Sequence, residues 1–157
     1  MLREIRFLIE EFNTSYCNTL DSGDIEGWAN YFTEDAVYKI ISKENYDLNL
    51  QGGIVFADSL GMIKDRAYAL VHTQYFGPRS TLHICGNVQV LNVEFKENIN
   101  SITNFIYLET LVEETTKLHL AGQYHDKFVF TDGKLLLKSR IVIYDSNLIN
   151  STLIYPV

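Results

Sequence analysis

His83 and Cys85, two residues apart in the stretch GPRSTLHICGNVQV (77–90), are the side chains whose types and spacing best suit chemistry. On an extended segment they share a face and could begin a metal site. A structural zinc site takes four ligands, however, and a catalytic one at least three. The remaining histidines fall elsewhere, His72 on a helical segment and His119 and His125 on another strand. A Rieske centre needs two Cys and two His, and a non-haem iron site two His and a carboxylate. One His-x-Cys supplies neither, so no metal-binding or cofactor-binding residue is expected. A Cys85 nucleophile would need a depressed pKa, which nothing in the sequence suggests; a strand cysteine ordinarily behaves as a small apolar residue. Phosphate loops, serine-hydrolase elbows and dinucleotide fingerprints are absent. One catalytic idea survives. Asp21, ending the first helix, could orient His83 as a base that takes a proton beside a carbonyl. The simpler reading is a core histidine satisfied by its surroundings. No catalytic residue is expected, with Asp21 and His83 as the fallback pair.

The elements that must position these residues are readable from periodicity. Ile5, Leu8, Ile9, Phe12, Tyr16 and Leu20 form one apolar stripe of a long helix that stops at Asp21-Ser22-Gly23. Asp24 can cap a short second helix carrying Trp28 and Phe32. A first strand, AVYKII (36–41), follows. The chain from Ser42 to Phe56 is ambiguous, with a loop at Gly52-Gly53. Asp58 or Ser59 can cap a third helix with Leu60, Ile63, Ala67, Leu70 and Val71 on one face, ended by Gly77-Pro78. Beyond it, Thr81–Phe95, Asn100–Glu113, Lys117–Thr131 and Lys134–Tyr144 read as long strands, with a hairpin turn at Asp132-Gly133. Alternation puts His83, Cys85, Asn87 and Gln89 on one face and Leu82, Ile84, Val88 and Val90 on the other. Helices first and antiparallel strands after give an α+β layout, with helices on one face of a strongly curved sheet.

At 157 residues the chain is expected to be one domain, 1–157. Cys17 and Cys85, far apart in the chain, do not make a disulfide framework. The start lacks the apolar core of a signal peptide, and no apolar run approaches the ~20 residues of a membrane span. The expected location is the cytoplasm. A net charge of −7 without a Lys/Arg cluster argues against nucleic acid. The sequon-like Asn13-Thr14-Ser15 and Asn150-Ser151-Thr152 carry no meaning there. Strands such as SITNFIYLETL and KLLLKSRIVIY are apolar at both parities, which predicts cover on both faces. The helices can cover one face; another chain is expected on the other.

LDSGDIEGWANYFTEDAVYKI (20–40) resembles the opening of the cone-shaped NTF2-like superfamily, which includes scytalone dehydratase, ketosteroid isomerase and SnoaL-like cyclases. Three more stretches resemble one branch of it, the small (β) subunits of aromatic-ring-hydroxylating dioxygenases. They are ADSLGMIKDRAYALVHTQYFGPRSTLHICGNVQV (57–90), YKIISKENYDLNL (38–50) and DSNLINSTLIYPV (145–157). The second is similar to the variable connection in members acting on anthranilate- or salicylate-type substrates. Leu82 stands where the family commonly has a basic residue. The resemblance implies a non-catalytic subunit of a ring-hydroxylating oxygenase in aromatic catabolism. The Rieske [2Fe–2S] cluster and mononuclear Fe(II) would then sit on a separate α subunit, fed by NADH through a reductase. It also implies a β homotrimer within an α3β3 heterohexamer. The alternatives are a stand-alone dehydratase or isomerase using Asp21 and His83, and a small-ligand binding module using the open end of the cone. The apolar tail, with Leu148, Ile149, Leu153, Ile154 and Tyr155, favours a subunit, since an assembly can bury it.

Overall fold

A computed structural model describes residues 1–94, 98–146, 148–149 and 152–157. The first helix, α1, spans Leu2–Asp21 and buries Ile5, Ile9, Phe12, Tyr16 and Leu20, the expected stripe, together with Asn13 and Cys17. Leu8 lies outside the stripe and is exposed. Asp24 caps α2 (Ile25–Trp28) by accepting from the Gly27 amide at 2.9 Å. A 3-10 turn, Ala29–Tyr31, then ends the helical run, so Phe32 opens β1 (Phe32–Ser42) instead of extending α2. The ambiguous stretch resolves into α3 (Lys43–Asp47), a loop through Gly52-Gly53, and a short β2 (Val55–Ala57). Ser59 caps α4 (Leu60–His72). That helix ends five residues before Gly77, with Val71 exposed, because its buried face reaches only to Leu70. Among the described residues, no helix is long and apolar enough to cross a membrane.

The long strands are β3 (Arg79–Glu94), β4 (Asn98–Leu111), β5 (Lys117–Thr131) and β6 (Lys134–Tyr144). Phe95, where the sequence places the end of β3, and Asn150-Ser151 of the second sequon lie outside the described residues. Asp132 and Gly133 both have positive φ, 51° and 76°, as the primed turn requires. Among the described residues the strands form one sheet in the order β2-β1-β6-β5-β4-β3. Only β1 against β6 is parallel. The helices cover one face of this mixed sheet, giving the α+β, NTF2-like cone. Register shifts place extra residues in β1, β3, β5 and β6; such bulges bend and twist long strands, which closes the sheet around its helices.

One bulge changes the reading of β3. Between Gly86 and Gln89 the pairing with β4 slips, and Asn87 takes a φ of 54°. The extra residue reverses the alternation. His83 and Cys85 face inward, and so do Val88 and Val90 beyond the bulge, while Asn87 and Gln89 point to solvent. Strict alternation put them on the opposite faces.

Aromatic side chains fill much of the core beneath the helices. Trp28, Phe32 and Tyr38 pack edge to face at ring separations of 5.0 to 5.8 Å. Trp28 Nε1 donates to Tyr16 Oη at 2.7 Å. The hydroxyls of Tyr16 and Tyr38 donate to the Val157 carbonyl, and the Val157 amide donates back to Tyr38 Oη. Ile149, Leu153, Ile154 and Tyr155 are half-buried against this same core, with Tyr155 edge-on to Phe76. The tail that the sequence offers to a partner is thus claimed largely by its own chain, leaving Leu148 exposed.

Candidate functional site

Helix α1 lies along the inner side of β3, and its residues meet the strand at matched intervals. Four helical residues advance about 6 Å and two strand residues about 6.6 Å. Asp21 therefore meets His83, and Cys17 meets Cys85. Asp21 Oδ1 accepts from His83 Nδ1 at 2.6 Å and from Thr81 Oγ1 at 3.1 Å, while Oδ2 accepts from the His83 amide at 2.8 Å. A carboxylate in the last turn of a helix faces the unfavourable end of its dipole. It is held there by three donors from β3.

The structure thus brings Asp21 and His83, the fallback pair of the sequence, within hydrogen-bond reach. It does not provide the space a general base needs. The His83 side chain has 0% exposure. Its ring lies 4.7 Å from the Tyr107 ring, and Nε2 is buried without a hydrogen-bond partner. A base must come within hydrogen-bond reach of its substrate, directly or through one water. No water-sized space touches this side chain. The nearby cavity of about 280 Å³ between α1 and β3 is open to solvent and includes His83 in its wall. With the side chain sealed, His83 presents only main chain to it.

Residues that the sequence reading passed over surround the pair. Tyr107 Oη donates to Glu109 Oε2 at 3.3 Å, and Arg79 Nη1 donates to the same oxygen at 3.1 Å. Burial, then the Glu109 carboxylate, pushes the Tyr107 phenol well up. Deeper in the core, Arg140 is fully buried. Its Nε and Nη2 form a bidentate pair with Asp126 at 2.9 and 2.8 Å, and Nη2 also reaches Asn13 Oδ1 at 2.6 Å. The guanidinium lies 4.2 Å from the Tyr16 ring centre and 4.1 Å from that of Tyr124. Burial opposes the Arg140 charge, but Asp126 more than offsets it and holds the group charged. Asp126 and Arg140 are direct partners across β5 and β6. Two opposite charges at the inward parity of apolar strands were the signal that could have revealed them.

The cysteines, remote in sequence, come together. Cys17 Sγ and Cys85 Sγ are 3.2 Å apart and both are free thiols. The hydrogen bond from Cys17 lowers the Cys85 pKa below its ordinary value, and the same bond, with burial, raises that of Cys17. This departs from the expectation of an unperturbed strand thiol. His72 pairs with Glu26, and His125 faces Tyr46. Among the described residues, no three His, Cys, Asp or Glu side chains are grouped as a metal ion would require.

The outer face of the sheet has the opposite character. Leu82, Ile84, Ile106 and Leu118 are 50, 50, 40 and 52% exposed. The pairings Leu82–Leu108, Leu108–Leu118, Ile84–Ile106 and Ile106–Ala121 join them into one patch across β3, β4 and β5. Leu82, the departure noted in the sequence, belongs to this outer patch.

Comparison with known proteins agrees with this geometry. Residues 17–151 match the family model described as the ring hydroxylating beta subunit. The chain is 33% identical over 156 residues to subunit beta 2 of the terminal oxygenase component of terephthalate 1,2-dioxygenase from Comamonas sp., covering 99% of each chain. It is 30% identical to the anthranilate 1,2-dioxygenase small subunit of Burkholderia cepacia, covering 96% of this chain and 93% of the relative. A crystal structure from Novosphingobium aromaticivorans, of a β subunit assigned to an aromatic-ring-hydroxylating dioxygenase, superposes with a TM-score of 0.90. It shares 29% identity and 99% coverage of both chains. The stand-alone dehydratase or isomerase is not favoured, and the chain belongs to the family of ring-hydroxylating dioxygenase β subunits.

Proposed function

We propose that this β subunit is non-catalytic and acts by assembly, as a homotrimer supporting three catalytic α subunits in an α3β3 oxygenase. The observation that carries this reading is the outer apolar patch. Contiguous exposed apolar surface beyond a few hundred Å² is uncommon on monomers and marks an interface. Cyclic closure around a three-fold axis lets each copy cover its neighbour and leaves another surface for the α subunit. The sealed His83 side chain supports the same reading, because Asp21–His83 then fixes α1 on β3 and takes no proton from a substrate.

The redox groups belong, on this reading, to the partner: a Rieske [2Fe–2S] cluster and a mononuclear Fe(II) on the α subunit, with electrons from NADH through a separate reductase. The donor set of this chain does not fit either group. Its two thiols face each other, and its histidines are committed to Asp21, Glu26 and Tyr46 or lie on β5 apart from the thiols. The cytoplasm, the site of NADH-dependent catabolism, is the proposed location.

Light scattering on the isolated chain tests the assembly. A trimer is expected; a monomer that persists on concentration would overturn the reading. Elemental analysis of the same sample should find neither iron nor zinc in stoichiometric amount, and one metal per chain lost on His83→Ala would contradict it.

A further inference from the structure

We propose that Cys17 and Cys85 form a redox-modification site, in which a peroxide converts the two thiols into a disulfide that locks α1 onto the edge strand β3. Four observations carry it. The sulfurs stand 3.2 Å apart in the reduced protein. A disulfide needs about 2.05 Å, so closure asks for roughly 1 Å of movement. Both residues line the solvent-open cavity of about 280 Å³ between α1 and β3, which gives a small oxidant access. Strand β3 lies at the edge of the sheet and is interrupted by its bulge one residue beyond Cys85, so a local shift disturbs one strand pairing only.

The two thiols are not equivalent. Cys85 is half-buried while Cys17 is buried, and Cys85 is the one whose thiolate the hydrogen bond from Cys17 and the nearby Arg140 favour. Thiolate character and exposure set susceptibility to oxidation. The Cys85 thiolate attacks one peroxide oxygen, the O–O bond breaks, and the leaving hydroxide takes a proton to become water, giving a Cys85 sulfenic acid. The Cys17 sulfur then attacks the Cys85 sulfur and the S–O bond breaks. The departing hydroxide takes the Cys17 proton as a second water. Two thiols lose two electrons in all, and one peroxide gains them. Asp21–His83 next along the seam holds the two elements in register while this happens.

The test treats the reduced, full-length chain with hydrogen peroxide and follows intact mass, peptide map and melting. Trypsin cuts after Arg6 and Lys39, and after Arg79 and Lys96, so the two cysteines fall in separate peptides. The expected result is a loss of about 2 Da per chain, with those two peptides joined and dithiothreitol reversing the change. Tm should rise by roughly 5–10 °C, because the bridge closes a long loop. Cys17→Ser should divert Cys85 to a sulfinic acid, a gain of about 32 Da. Exposed Met62 is an internal dosimeter. Sulfoxide at Met62 with both thiols still titratable would overturn the proposal. So would Cys85 sulfinic acid or disulfide-linked dimers as the main wild-type product. The wild-type map decides the matter even if a cysteine variant fails to fold.

Discussion

The two faces of the sheet invert the usual distribution of polarity. The inner face, against α1, buries Asn13, His83, Asp126 and Arg140, with Asp21 half-buried beside them, while the outer face of β3, β4 and β5 exposes Leu82, Ile84, Ile106 and Leu118. A buried charge is tolerated when partners replace its water, and the inner groups supply them: Arg140 with Asp126 and Asn13, Asp21 with three donors from β3. An exposed apolar face has no internal remedy and waits for another surface. The inner polarity is therefore answered within the chain, and the outer apolarity, on the proposed assembly, by another chain.

The largest expected effect lies at the centre of the inner face. Arg140→Met leaves the Asp126 carboxylate buried and uncompensated, and should cost about 3–5 kcal/mol in chemical denaturation. Replacing both, Arg140→Met with Asp126→Leu, should recover most of that loss. Asp21→Ala should cost less, about 1.5–3 kcal/mol, because it strands the Thr81 and His83 donors of β3 without burying a lone charge. The same variant separates structure from catalysis. Oxygenase turnover per assembled complex should be unchanged, and a folded, assembled, inactive Asp21→Ala would break the distinction.

A smaller effect concerns pH. Burial lowers the His119 pKa below its ordinary 6.5, with Glu109 partly opposing and Arg79 reinforcing the shift; burial lowers that of His125 too. In the window below 6.5 the unfolded chain then binds more protons than the folded one, so stability should fall as pH drops through it and level off once the folded form is also protonated. Thermal melts from pH 7.5 to 5 should show this decline, shallower in His119→Gln. The smallest folding effect belongs to the outer face. Ile84→Glu should alter the stability of the isolated chain by no more than about 0.5 kcal/mol, yet shift light scattering from trimer to monomer. A retained trimer would place the interface elsewhere.

What the sequence determined by itself is local. The 3.6-residue stripe placed α1, the Asp24 and Ser59 caps opened α2 and α4, and Asp132-Gly133 turned the last hairpin, with β5 and β6 read to their observed bounds. Each of these depends on residues within a turn or two of one another, so the pattern sits in a short window. The family resemblance extended this to the cone. Tertiary structure alone decided the rest. One extra residue at Gly86–Asn87 reversed the parity of half a strand, which no alternation count can anticipate. Cys17 and Cys85 met across 68 residues and Asp21 and His83 across 62, because a helix and a strand with matching repeat lengths lie side by side. The tail turned inward because two buried tyrosine hydroxyls needed an acceptor and Val157 provides it. Each of these is a pairing between distant segments, and its energy comes from burial and hydrogen-bond satisfaction, which exist only once the chain has packed.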